Sequence, residues 1–316
     1  MDIRMYKPTG KIQNKHMLTL RDYSTEEIYE ILHTAVALKQ KQRAGKKHAY
    51  LAGKTLAMIF SKSSTRTRVS FEQGIKQLGG SALVLQQGDI QLGRGETIRD
   101  TALVLNRYGI DGIMIRTYLQ SDLEELAKYS ACPIINGLTD DYHPCQVLAD
   151  LLTIYEHFGR LEGLKMAYFG DGNNMAHSLM LGGAKVGMHV VCCSPEGYMP
   201  NAEIVQAAQQ CGNVTVTSDV NEAIRDCNVI YTDVFFSMGQ EKSPEKVAAL
   251  MPYQVNGALM AKADKSAVFL HCLPAHRGEE VTEEGIDGAQ SIVFEEAENR
   301  LHAQKAVMYL LMKNKR

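Results

Sequence analysis

Apolar positions along the chain follow two alternating patterns. Short continuous runs such as Thr55–Phe60 (TLAMIF), Ala82–Leu85, Gly112–Arg116 (GIMIR) and Pro133–Asn136 have strand length. They lack the in-and-out alternation of a half-exposed sheet, as parallel strands covered on both faces do. Helical spacing fills the gaps between them. Ser24-Thr25-Glu26-Glu27 forms a capping box ahead of Ile28, Ile31, Leu32, Ala35 and Val36. A second helix is predicted over Thr65–Leu78, stopped by Gly79-Gly80, and a third over Thr97–Tyr108, with Thr101, Ala102, Leu105 and Tyr108 on one face. Pro144 opens a longer helix to about His157, with Val147, Leu148, Leu151, Leu152 and Tyr155 as its stripe.

A second series then begins. Strands are expected at Lys165–Gly170, Met188–Cys193, Val214–Thr217, Val229–Val234, Ala267–Cys272 and Ser291–Phe294, and a last helix from about Glu296 to Met312. The economical reading is α/β: two doubly wound parallel sheets with helices on both faces. The boundary is expected near residues 137–160, and the length of 316 residues suits two domains of ~150. No low-complexity tract or internal repeat interrupts the pattern.

Composition narrows the class. The chain is 45% hydrophobic, with 34 basic against 36 acidic residues for a net charge of −2. Charges of both signs are mixed, so a nucleic-acid footprint is not expected, although a local basic pocket is compatible with the balance. No apolar run reaches the ~18 residues needed to cross a bilayer, and no secretory or transit signal is visible. Seven cysteines without a Cys-x-x-Cys pair suggest neither a disulfide framework nor a zinc site. The expectation is a reduced, cytoplasmic protein with no membrane partner.

Polar residues gather directly after the expected strands. Ser63-Ser64-Thr65-Arg66-Thr67-Arg68 follows Thr55–Phe60 and starts a helix. Four hydroxyl residues, two guanidiniums and the open N–H groups of a helix start favour a phosphate, though a capped surface helix with solvated arginines uses the same residues. The run is not a P-loop. His143 and Gln146 share the first turn of the Pro144 helix, where an imidazole and a carboxamide could polarise a carbonyl and hold an amide. Phe169-Gly170-Asp171-Gly172-Asn173-Asn174 approaches a dinucleotide turn, but Met175 stands where the third glycine belongs. Asn174 holding a small polar ligand is the better functional reading, a plain tight turn the other. Asp233 and Ser237 sit on a loop containing Gly239, and His271-Cys272-Leu273-Pro274 puts a thiol beyond another strand. Arg116 ends its strand, and Arg300 lies in the last helix. So many polar groups at the carboxyl ends of different strands suggest a shared cleft.

Together S-T-R-T-R, H-P-x-Q, D-x-x-x-S-M-G, H-C-L-P and a near-terminal E-N-R-L resemble the carbamoyltransferases, most closely those acting on ornithine, over nearly the whole chain from about Met17. The resemblance implies a carbamoyl-phosphate domain over 1–143 plus about 297–316, an amino-acid domain over 144–296, and a last helix that crosses back to the first domain. It implies that Ser64, Thr65, Arg66 and Thr67 hold the phosphate and that Arg116 bridges phosphate and carbonyl oxygen. His143 would polarise that carbonyl and Gln146 hold the carbamoyl nitrogen. Cys272 and Leu273 would line the reaction point, with Arg300 reaching it from the last helix. Gln91 would come from a neighbouring subunit of a homotrimer. Asn174, Asp233, Ser237 and Met238 would bind L-ornithine, and Arg116, His143, Asp233 and Cys272 form the implied catalytic set. Carbamoyl transfer calls for no metal and no redox cofactor, and neither is signalled. The alternatives are a carbamoyltransferase acting on putrescine or on another amine or amino acid, and a silent sensor of carbamoyl phosphate.

Overall fold

The computed structural model describes residues 3, 5–91, 95–237 and 239–313. The chain divides into two compact units, one comprising Ile3–Leu152 with the chain from Arg300 onward, the other Thr153–Asn299.

The first unit begins with α1 (Thr25–Arg43), whose Ser24–Glu27 capping box is formed as its sequence requires. There follow β1 (Thr55–Phe60), α2 (Thr65–Gln77), β2 (Ser81–Gln86), α3 (Ile98–Arg107), β3 (Gly112–Arg116), α4 (Gln120–Tyr129), β4 (Ile134–Leu138) and the start of α5 (Pro144–Phe158). The four strands are parallel in the order β2-β1-β3-β4. Ala57, Ile59, Ile113, Ile115 and Ile134 pack with Ala102, Leu105, Leu123 and Leu126 on one face of the sheet. The last helix returns to this unit: Lys305 Nζ donates to Gln42 (2.7 Å) and Gln77 (2.9 Å). Gly74 leaves room for it, since a Cβ there would lie 2.9 Å from Met308 Cε.

The second unit contains β5 (Lys165–Phe169), α6 (Asn174–Lys185), β6 (His189–Cys193), α7 (Ala202–Gln209), β7 (Val214–Thr217), α8 (Val220–Ile224) and β8 (Val229–Thr232). After these come α9 (Pro244–Leu250), α10 (Gly257–Met260), β9 (Val268–His271), α11 (Glu283–Ile286) and the start of α12 (Val293–Met312). Its five strands are all parallel in the order β7-β6-β5-β8-β9. Cys192 and Cys193 lie in β6, and burial pushes both thiols up to about 12. No helix among the described residues is long and apolar enough to cross a membrane.

Two local expectations change. Ser291–Phe294 is not a strand: Ser291 makes one isolated bridge to Phe269, and α12 starts at Val293. Glu295 and Glu296 in its first turn suit a helix N-terminus, and Phe294 is 70% exposed, which a central strand would not allow. Tyr108 is the C-cap of α3 rather than part of its buried face, and is exposed.

In each unit the strand order reverses between two neighbours, β1 and β3 in one sheet, β5 and β8 in the other. Open α/β sheets bind ligands beyond the carboxyl ends of such strands. At the second of these points the turn after β5 passes close to another segment. A Cβ on Gly172 would lie 2.2 Å from Pro200 N and 2.5 Å from the Met199 carbonyl carbon, and backbone cannot yield as a side chain does. Gly172→Ala is therefore expected to cost at least ~3 kcal/mol, the upper end of ordinary overpacking. Thermal denaturation should show a fall of several degrees, and an unchanged midpoint would mean that the turn can relax freely.

Candidate active site

In the first unit the polar groups are assembled by β1, β3 and the helices that follow β1 and β4. Phe60 pairs with Arg116 in register, and Ser61 N donates to the Arg116 carbonyl (2.8 Å). The start of α2 therefore sits beside the end of β3. Ser64 is the N-cap of α2, its hydroxyl accepting from Thr67 N at 3.2 Å. Thr67 is fully buried and its hydroxyl accepts from Arg300 Nη2 (2.8 Å), so the last helix delivers a guanidinium to this helix start. Arg66 is half-buried, and Thr65 is exposed on the first turn. Arg68 leaves the group: it is exposed and pairs with Glu72 one turn on, at 3.5 Å. The anion-favouring set at α2 thus has one local guanidinium, with Arg116 and Arg300 as the others.

His143 directly precedes α5 and is buried. Burial holds its imidazole well below the ordinary 6.5, and the charges of Arg300, Arg116 and Arg66 push in the same direction. Three cations around one ring define the centre of this cluster. Gln146, one turn on, is fully buried and donates its amide to Asp150 Oδ1 at 2.8 Å. That bond turns the carboxamide oxygen, an acceptor, to the opposite side. The sequence reading missed Asp150, whose only signal was an acid four residues after a candidate glutamine. Cys145 beside them has its thiol pushed up to about 12 by burial, with Arg300 opposing, and is a packing residue. Gln91 is exposed and makes no part of this cluster.

The second unit assembles its own group at β5, β8 and β9. Asn173 caps α6, accepting from Met175 N (2.9 Å) and Ala176 N (3.3 Å), while its Nδ2 donates to Asp233 Oδ2 at 2.9 Å. Asp233 stands just beyond β8 and is 7% exposed. Its other oxygen accepts from Val234 N (2.8 Å) and from the Cys272 thiol (3.1 Å). Tyr168, below the turn, donates to the Asp171 carbonyl at 2.8 Å, and burial followed by Asp233 and Asp171 raises its phenol well above 10. Asn174 begins α6 and is buried, so the carboxamide bonded to Asp233 belongs to its neighbour Asn173. Ser237 is half-buried, closing a turn with Gln240, whose N donates to the Ser237 carbonyl (3.0 Å). Met238 lies outside the described residues.

His271, the last residue of β9, is fully buried; its Nδ1 accepts from Leu273 N (2.8 Å), leaving Nε2–H to donate to buried Glu280 at 3.2 Å. Leu273 has a φ of 57°, a left-handed conformation that costs a non-glycine residue of order 1–3 kcal/mol and concentrates at functional sites. Asp233, His271 and Cys272 offer ligand atoms within 4.8 Å of one another, as do His276, Glu279 and Glu280. In the first group both His271 nitrogens and the Cys272 thiol are already engaged in these hydrogen bonds, which a metal ion would have to displace.

Two parallel α/β units with an anion-favouring helix start in one and a buried carboxylate cluster in the other fit a group-transfer enzyme. Residues 15–156 match the carbamoyl-phosphate-binding domain of the aspartate/ornithine carbamoyltransferases, and residues 162–311 match their aspartate/ornithine-binding domain. The chain belongs to this family. It is 58% identical to an ornithine carbamoyltransferase of Anoxybacillus flavithermus over 96% of this chain and 98% of that one. A Thermococcus kodakarensis ornithine carbamoyltransferase is 53% identical over 95% and 97% of the two chains. The solved ornithine carbamoyltransferase of Pyrococcus furiosus superposes with a TM-score of 0.93 at 52% identity, covering 95% of this chain and 98% of that one.

His143 supplies a pH test. The folded chain disfavours its protonation, so below the ordinary 6.5 the unfolded chain binds more protons. Its contribution to stability is silent above that value and turns unfavourable as pH falls through it. Nitrogen-15 NMR at pH 6 should find the His143 ring neutral, whereas a solvent-exposed imidazole would be mostly charged. A ring titrating at its ordinary value would contradict the cluster.

Proposed function

We propose that this enzyme transfers the carbamoyl group of carbamoyl phosphate to the δ-amine of L-ornithine, giving L-citrulline and phosphate. The observation that carries the reading is buried His143 at the start of α5, where burial and then the charges of Arg300, Arg116 and Arg66 disfavour its protonation, together with the anion-favouring start of α2. The first unit takes carbamoyl phosphate and the second takes ornithine. The phosphate dianion is held by the α2 N–H groups, the hydroxyls of Ser64, Thr65 and Thr67, and the guanidiniums of Arg66 and Arg300. Arg116 spans phosphate and carbonyl oxygen. His143, being neutral, donates to the carbonyl oxygen without contributing a fourth cation. Gln146, oriented by Asp150, accepts from the carbamoyl amide.

The neutral δ-amine attacks the carbonyl carbon, a new C–N bond forms, and the C–O bond to phosphate breaks with its electron pair leaving on phosphate. The amine's surplus proton passes to that phosphate, so no separate protein base is required. A preorganised donor at a developing oxyanion is worth ~2.7–4 kcal/mol. Holding both substrates in line supplies up to ~7–11 kcal/mol more. On the amino-acid side Asp233 takes the α-ammonium, with Asn174, Ser237 and Met238 around the head group. Cys272 and Leu273 line the carbamoyl group.

Three copies assemble, as the family resemblance implies, and Gln91 is offered to a neighbour's phosphate site. Supporting that contact, β2 is an edge strand that exposes Leu83 (43%), and α2 beside it exposes Val69 (59%). Arginine synthesis in the cytoplasm is the accompanying physiological reading.

Arg66→Ala should raise KM for carbamoyl phosphate and lower kcat, because the charge acts in ground and transition states alike. Arg66→Lys should stay impaired, since an ammonium cannot reproduce a planar fork on phosphate. Unaltered carbamoyl-phosphate kinetics in either variant would remove Arg66 from the site.

Substrate choice turns on Asp233. Putrescine lacks the α-ammonium, and a charge-assisted hydrogen bond of this kind contributes ~1.5–3 kcal/mol, with a further penalty for an unmatched buried carboxylate. At saturating carbamoyl phosphate, kcat/KM for ornithine should exceed that for putrescine at least ~100-fold, and Asp233→Asn should narrow the gap by harming ornithine. Equal use of both amines would reject ornithine specificity while leaving carbamoyl transfer intact.

A further inference from the structure

We infer that Lys246 is a positioning residue for the amino-acid substrate, closing a hydrogen-bonded ring that fixes Ser237 relative to Asp233. The inference rests on the proposed roles of those two residues. Lys246 lies in the first turn of α9, where Ser243 caps the helix by accepting from Lys246 N at 3.1 Å. A cation there opposes the helix dipole, so local propensity does not explain it. Its ammonium explains it. Nζ donates to Asp171 Oδ2 at 2.7 Å and to Gln240 Oε1 at 3.1 Å, and lies 5.3 Å from the centre of the Phe236 ring.

The Lys246 and Asp171 side chains are only 12% and 14% exposed, so this pair is less screened than an ordinary surface bridge. From Asp171 the path runs through its carbonyl, which accepts from Asn173 N (2.7 Å), to Asn173 Nδ2 and Asp233 Oδ2. From Gln240 it runs the other way: the same Oε1 that meets Lys246 also accepts from Ser237 N at 3.2 Å. Asp233 and Ser237 belong to one segment after β8, so the path closes on itself. Lys246 is the single cation in it.

Removing the ammonium opens the ring at both Asp171 and Gln240. Burial already raises the Asp171 carboxyl, against the pull of Lys246, so losing the ammonium shifts it further toward protonation and leaves a largely buried carboxyl without the partner that ties it to the loop. The cost therefore falls on the Ser237 loop and on amino-acid affinity. The carbamoyl-phosphate groups, which lie on other elements, keep their arrangement.

Steady-state kinetics with both substrates, on the full-length enzyme, test this. Lys246→Ala should raise the ornithine KM by about 10- to 100-fold while the carbamoyl-phosphate KM stays within about twofold. Lys246→Arg should recover most of the loss, since a guanidinium can still meet Asp171. Gln240→Ala should raise the ornithine KM several-fold, and the double variant should be no worse than Lys246→Ala alone. Amide exchange at Ser237, which needs no turnover, should quicken in Lys246→Ala. Equal rises in both KM values, additive losses in the double variant or an unchanged Ser237 exchange would each overturn the inference. Wild-type enzyme that makes no citrulline would strike the ornithine reading instead, and the exchange measurement would still decide the role of Lys246.

Discussion

The constraint on which the chemistry depends is the concentration of positive charge around His143. Three guanidiniums within electrostatic reach of one buried ring are costly in the absence of an anion, because each loses hydration and each repels the others. The fold offsets part of this by anchoring Arg300 on the Thr67 hydroxyl and placing Arg116 at a strand end. The remainder is the attraction that such a concentration of positive charge has for an anion. Burial, with the same field adding to it, disfavours a charge on His143, so the ring at the centre adds no further repulsion.

The carboxylate cluster of the second unit is built on the opposite principle. Asp233 is nearly buried, and its oxygens accept from an asparagine amide, a backbone N–H and a thiol, all neutral donors. Neutral donors orient a carboxylate without pairing it to a cation, and so preserve its attraction for one. A lysine in the place of Asn173 would satisfy the same oxygen and cancel that attraction. Lys246 is kept one step away, on Asp171, and not on Asp233 itself.

Much of this was legible in the sequence because the informative residues stand immediately after apolar runs. Ser64–Thr67, Arg116, His143 and Asp233 are each located by the strand or helix boundary beside them, and boundaries are marked by local chemistry. The misreadings have equally local causes. Arg68 shares a motif with Arg66, but two residues turn a helix through about 200°, and its side chain is taken up by Glu72. Ser291–Phe294 is apolar enough for a strand, and only the acidic turn that follows shows that a helix begins there. Asn173 is no misreading but an omission: it matches Asn174 in type, and only its cap position shows that it is the one bonded to Asp233, a bond that leaves the part given to Asn174 untouched.

What stayed hidden are the residues that act through others. Asp150, Glu280 and Lys246 fall at no motif and on no apolar boundary. Their roles arise from contacts such as Asp150 to Gln146, Glu280 to His271 and Lys246 to Asp171. Such partners are set by tertiary proximity, and sequence spacing conveys it only when both residues lie on one helix, as Gln146 and Asp150 do. Lys246 and Asp171 are 75 positions apart and belong to the connections after β8 and β5. Those two strands are neighbours at the point where the sheet order reverses. The topology that creates a ligand site thus also brings its supporting residues together, which is why supporting residues emerge only when the sheet order is known.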